Sequence, residues 1–154
     1  MLNIVLVNPE IPQNTGNVGR TCVGLGAKLH LVGQLGFSLE AAALRRAGLD
    51  YWKKLSLSRA ETWDDFLSQI EPNAQLTFFS THGQHSLWGW TFEEPSYLIF
   101  GAESAGLPRS FYETYKDRLV RIPINKEIRS LNLATAVGVA AFEAVRQLEL
   151  GLRV

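Results

Sequence analysis

The chain has 154 residues, which suits one domain and leaves little room for a second. With 46% hydrophobic and only 19% charged residues it has enough apolar material for a core, which excludes a disordered or low-complexity chain. Fifteen basic residues balance fifteen acidic ones, so no global field draws in a polyanion and any nucleic-acid binding must rest on a local patch.

In chain order, residues 2–7 (LNIVLV) are a β-rich apolar run ended by Asn8-Pro9, which predicts a buried strand. Residues 9–14 form a loop stiffened by Pro9 and Pro12, and Asn14 or Thr15 is placed to cap a helix running to about Gly24. Residues 28–32 read as a second strand. Residues 39–47 are strong helix formers ending at Gly48. Residues 60–70 place Trp63, Phe66, Leu67 and Ile70 at helical spacing. Strands follow at 76–80 and 97–100, and a helix at 108–115 opens on Pro108. A strand at 119–122 stops at Pro123. The longest helix spans 131–148, with Leu133, Val137, Ala140, Ala144 and Leu148 on one stripe.

Short apolar strands that alternate with helices predict an α/β sandwich on one parallel sheet, with residues 1–154 as a single domain. Ligands on such sheets bind in loops beyond the carboxyl ends of the strands. Three segments fall there. Asn14-Thr15-Gly16-Asn17-Val18-Gly19-Arg20 sets side-chain donors and backbone N–H groups at a helix start, with an arginine suited to a phosphate. Gly101-Ala102-Glu103-Ser104-Ala105-Gly106 follows a strand; its glycines have phosphate-loop spacing, but Leu-Pro stands where Lys-Ser/Thr is required. Arg129, Ser130 and Asn132 make a cluster richer than one helix cap needs.

His82 and His85 lack a third ligand, so no metal is expected. Cys22, the only cysteine, is expected to be buried filler, and the tryptophans at 52, 63, 88 and 90 mostly packing. The apolar run 4–7 is too short for a signal segment, and no run approaches the ~20 apolar residues of a membrane helix. A cytoplasmic location is expected.

PEIPQNTGNVGR, FGAESAGLP and RIPINKEIRSLNLATAVGVAAFEA together resemble the three motifs of the SPOUT class of RNA methyltransferases. The similarity is to its small single-domain members that methylate the ribose of the tRNA wobble nucleotide, and LRRAGLDYW (44–52) resembles that subgroup too. The resemblance implies an α/β sandwich with a C-terminal trefoil knot and S-adenosylmethionine as cofactor, lined by Phe79, Gly101, Ile122, Ser130 and Leu131. It implies a catalytic set of Asn14, Arg20, Glu103, Ser130 and Asn132. It also implies a homodimer in which Arg20 reaches a site completed by the other subunit, with the tRNA anticodon stem-loop as partner.

Two positions depart from the subgroup: Ala105 stands where arginine is common, and Phe142 where tyrosine is usual. Arg45, Arg46 and Arg129 are the candidate RNA contacts, since a dimer could join such local charges into a groove. The residues leave two roles open for Arg20: a transient base, or a group that orients a phosphate and stabilises the developing alkoxide. Methylation of another RNA site or of a base, and nucleotide binding without turnover, are the alternative readings. The low charged fraction and the small residues of the last helix (Ala134, Ala136, Gly138, Ala140, Ala141) also favour a dimer.

Overall fold

Every residue of β1 (Leu2–Val7) is buried, as an apolar run without alternation requires when both faces of a sheet are covered. The computed structural model describes residues 1–40 and 49–152. Among them β1 is joined by β2 (Lys28–Val32), β3 (Ser56–Ala60), β4 (Gln75–Phe79), β5 (His85–Ser86), β6 (Ser96–Phe100) and β7 (Leu119–Arg121). The sheet order is β3-β2-β1-β6-β4-β7-β5, with every pair parallel. The helices are α1 (Pro12–Leu25), α2 (Leu49–Trp52), α3 (Trp63–Leu67), α4 (Arg109–Thr114) and α5 (Leu133–Leu148). The α/β parallel-sheet architecture read from the sequence is the one observed.

Alternation along β1 divides the core. Leu2, Ile4 and Leu6 face a cluster with Val18 and Cys22 of α1 and Val137, Ala140, Ala141 and Ala144 of α5. Val5 and Val7 face Phe66 of α3 and Phe111 of α4. Each such fully buried Leu, Ile or Phe contributes about 1.5–3 kcal/mol. Ala140 and Ala141 are wholly buried within the chain, so these small residues serve internal packing rather than a partner.

Several boundaries differ from the sequence reading, each for a local reason. α1 starts at Pro12 with Ile11 at its N-cap, not at Asn14 or Thr15, because proline is favoured in the first turn, where its missing N–H costs nothing. Residues 60–70 are not one helix: β3 takes Ala60, and Thr62 caps the short α3 through a reciprocal pair of bonds with Asp65. α5 begins at Leu133, capped by Asn132 rather than Ser130. The strands expected at 76–80, 97–100 and 119–122 are Gln75–Phe79, Ser96–Phe100 and Leu119–Arg121, and the helix at 108–115 is Arg109–Thr114 with Pro108 at its N-cap. The helix expected over 39–47 lies largely outside the described residues; Leu39 and Glu40 are in a turn.

β7 lies between β4 and β5, so the segment 80–84 that joins those two strands crosses over it. Ser80 N–H bonds to Val120 O at 3.0 Å. Gly83 makes the crossing possible, since a Cβ there would lie 2.5 Å from the Val120 carbonyl carbon.

Candidate active site

Beyond the carboxyl ends of β4, β6 and β7, three segments wall a cleft of about 500 Å³. They are residues 79–82, residues 100–107 and residues 122–133, the last not lining it continuously; Ile11 and Asn14 at the start of α1 and Ala136 of α5 complete it. The volume is that of a small-molecule site, roughly 300–1,000 Å³. Phe79 and Phe100 stack at 4.8 Å on its floor, and Leu107, Ile122 and Leu131 add apolar wall. The 101–106 loop is a tight reversal: Ala102 and Gly106 exchange N–H···O bonds of 3.0 and 2.8 Å. Gly106 has φ +70°, and a Cβ on Gly101 would fall 2.0 Å from the Gly106 carbonyl carbon.

The polar side chains of the cleft form a directed relay. Asn132 Oδ1 accepts from Ala134 N–H at 2.9 Å, which fixes its amide; its Nδ2 then donates to Asn14 Oδ1 at 3.0 Å. Asn14 Nδ2 donates to Glu103 Oε1 at 3.3 Å. Glu103 also accepts from the backbone N–H groups of Glu10 (2.8 Å) and Ile11 (3.0 Å), so a carboxylate sits at the start of α1, where the helix dipole favours negative charge. A second clasp mirrors the first: Glu10 accepts from Ser104 Oγ at 2.6 Å and from Ser104 N–H at 3.3 Å. Each amide nitrogen of Asn14 and Asn132 keeps one hydrogen without a partner among the described residues. The described lining of the cleft thus holds both asparagine amides and one carboxylate, Glu103, with no Lys, Arg or Asp.

The pattern defining the SpoU rRNA Methylase family matches residues 1–142. The chain belongs to that family. A tRNA (cytidine(34)-2'-O)-methyltransferase of Burkholderia cenocepacia (strain HI2424) is 43% identical over 149 residues, covering 96% of this chain and 96% of the relative. A solved structure concerned with the 2-OH methylation of C/U34 on tRNA is 48% identical, covers 97% of both chains and superposes with a TM-score of 0.89. An AdoMet-bound rRNA methyltransferase from Sinorhizobium meliloti is 29% identical with a TM-score of 0.85, covering 96% of this chain and 56% of that one.

In this SpoU methylase the cofactor-lining set expected from the sequence gathers in one place: Phe79, Gly101, Ile122, Ser130 and Leu131 all line the cleft. So do Asn14, Glu103, Ser130 and Asn132 of the expected catalytic set, three of them joined by hydrogen bonds. Arg20 does not line it. Six residues after Asn14, it lies about 120° round α1 and about 9 Å along the axis, and it is exposed. Its guanidinium sits over the Tyr51 ring at 5.8 Å. Arg129 is exposed beside Ser130, and Arg45 and Arg46 lie outside the described residues.

Glu10, Ser104 and Tyr51 lie inside the quoted motifs PEIPQNTGNVGR, FGAESAGLP and LRRAGLDYW, but the sequence assigned none of them a role. His82 packs edge-on to Tyr112 and His85 tilts on Trp90, and no group of three His, Cys, Asp or Glu among the described residues could hold a metal ion. Burial pushes the Cys22 thiol up to about 12, so it is inert filler as expected. Trp52, Trp63 and Trp90 pack within the molecule, whereas Trp88 is 68% exposed.

Proposed function

We propose that this chain methylates the ribose 2′-oxygen of nucleotide 34 of a tRNA, using S-adenosylmethionine, and that residues 1–154 act as one catalytic domain. The observation that carries the reading is the Asn132–Asn14–Glu103 relay on the wall of a cleft whose described lining holds no cationic Lys or Arg. The cleft fits the cofactor chemically: stacked and aliphatic walls suit a purine, and a lone carboxylate suits a positively charged sulfur. Phe79, Gly101, Ile122, Ser130 and Leu131 would hold it. When bound, the cofactor supplies a methyl group on that cationic sulfur.

The chain's own residues supply placement and electrostatics. The fixed amides of Asn14 and Asn132 present N–H donors that can hold a ribose hydroxyl or its neighbour, with no reorientation needed at the moment of reaction. The Glu103 carboxylate, tied by three N–H groups, anchors Asn14. Arg20 stabilises the alkoxide or a neighbouring phosphate of the substrate, presented from outside the cleft of its own chain. That placement supports a homodimer in which one subunit's Arg20 serves its partner's cleft. Half-exposed Ile11 and, on α5, Val139 and Phe142 support a contact face for the second copy. Arg45, Arg46 and Arg129 would grip the anticodon stem-loop. The crossing of 80–84 over β7 supports the trefoil knot that the motif resemblance implies. No helix among the described residues is long and apolar enough to cross a membrane, and a tRNA substrate accords with the cytoplasm.

The test is incubation of the protein with tRNA and S-adenosylmethionine, followed by nucleoside and fragment mass spectrometry. A 2′-O-methylated nucleotide at position 34 is expected. A methylated base, or methylation of ribosomal RNA alone, would move the reading to another member of the family. Cofactor binding with no methyl transfer to any RNA would reduce it to a binding module.

A further inference from the structure

Gly19 lets the single turn of α2 lie close against α1. A Cβ on Gly19 would come 3.0 Å from Trp52 Cζ3 and 3.2 Å from Leu55 Cδ2, so glycine is what lets α2 approach. Tyr51 then touches α1 twice. Its hydroxyl donates to Gly16 O at 2.6 Å, and its ring lies under the Arg20 guanidinium at 5.8 Å from the centroid. Gly16 O is also the carbonyl that the Arg20 amide meets in an α-helix, four residues on. One side chain therefore grips the turn that carries Arg20 at its backbone and supports the arginine at its charged end. Burial raises the Tyr51 phenol above its ordinary value while the Arg20 charge pulls it down, and a protonated phenol is what a donor to Gly16 O requires.

An exposed arginine outside its own cleft has many rotamers, and each one that misses the substrate lowers the rate. A cation held over an aromatic face loses much of that freedom before substrate arrives. We infer that Tyr51 is a positioning residue for Arg20, fixing the guanidinium in the direction from which it meets the substrate's ribose-phosphate. This rests on the methyl-transfer reading above and on Arg20 acting in the transition state.

The experiment is a double-mutant cycle on the single-turnover methylation rate at saturating S-adenosylmethionine and tRNA, with cofactor affinity measured on every variant. Tyr51→Leu is expected to slow the reaction about tenfold, the scale of one partly exposed cation–π contact, with cofactor affinity unchanged. Tyr51→Phe keeps the ring and should retain the rate within about threefold. Arg20→Ala should lose at least ~100-fold, and adding Tyr51→Leu to it should cost nothing more. Equal losses in the Phe and Leu variants, or a tenfold Tyr51→Leu loss that persists in the Arg20→Ala background, would overturn the proposal. A Tyr51→Leu protein that no longer binds the cofactor would overturn it too, because α2 would then be a strut of the whole fold. If Arg20→Ala keeps its rate on a wild type that does methylate nucleotide 34, the role of Arg20 fails while the activity stands, and the positioning role falls with it. If the wild type methylates no ribose, the activity itself fails, which separates the two cases.

Discussion

At the amino edge of the sheet, three adjacent strands carry a relay of Ser58, His30 and Asn3; at the carboxyl edge, three loops carry the relay of Asn132, Asn14 and Glu103. In the first, Ser58 Oγ lies 2.6 Å from His30 Nδ1, and His30 Nε2 lies 3.0 Å from Asn3 Oδ1. Asn3 Nδ2 donates to Met1 O and Ser96 O, so its oxygen must accept, His30 Nε2 carries the hydrogen, and Ser58 donates to Nδ1. Each ring nitrogen is satisfied and His30 is only 6% exposed. Burial first, and Lys28 second, lower His30 from 6.5 to about 4, with Glu71 pulling the other way. The carboxyl-edge relay has the same length but leaves N–H groups free and opens on a cleft. The Ser58–His30–Asn3 relay also borders a smaller cavity of about 240 Å³, but both of its ring nitrogens are satisfied within the relay.

The sharpest way to break this contrast is Gly101→Ala. Its Cβ meets the Gly106 carbonyl, so the 101–106 reversal cannot form, and calorimetric titration with S-adenosylmethionine should detect no binding. Binding at wild-type affinity would show that the loop is not the cofactor wall. Next comes Glu103→Gln, which replaces a carboxylate that three N–H groups hold. A loss on the order of 100-fold in single-turnover rate is expected, with the fold intact by circular dichroism. An unchanged rate would make the carboxylate only a cap of α1.

The amino edge should answer in stability and not in rate. Because the folded state depresses the His30 pKa, the unfolded chain binds the extra proton first. His30's contribution is complete above about pH 6.5 and lost as pH falls toward 4, by at most about 3 kcal/mol. Urea unfolding of wild type and His30→Gln at pH 7.5 and 4.5 should therefore show a gap that narrows on acidification, with methylation rates alike at neutral pH. A gap constant across that range would mean His30 titrates normally. The smallest effect belongs to Ser58→Ala, about 1 kcal/mol of stability for one lost hydrogen bond, and no change in rate. Any rate loss there would join the two edges functionally.

What the sequence displayed follows from how local each determinant is. β1 and β6 are nearly continuous apolar runs, legible because both faces are buried, and β2 is a short Leu/Val-rich stretch buried after Lys28. β3 hid because it is an edge strand with polar Ser56, Ser58 and Arg59, and β5 because two residues carry no period. Asn14, Glu103 and Asn132 were legible as motif members, but their order in one relay depends on three segments meeting around 100 residues apart. The Glu10–Ser104 clasp was invisible for the same reason.

The slot occupied by β7 sets a schedule for making the molecule. β5 pairs only with β7, and Arg121 follows its partner Ser86 by 35 residues. At roughly 5–20 residues per second of synthesis, β5 has no neighbour for about 2–7 s after it emerges. During that interval the nascent sheet ends at β4, and the 80–84 segment spans a gap where a strand belongs. A chain that ends before Leu119 leaves β4 without its β7 neighbour and β5 without any strand partner among the described residues. The sheet order thus makes the two strands that flank the slot wait on the third.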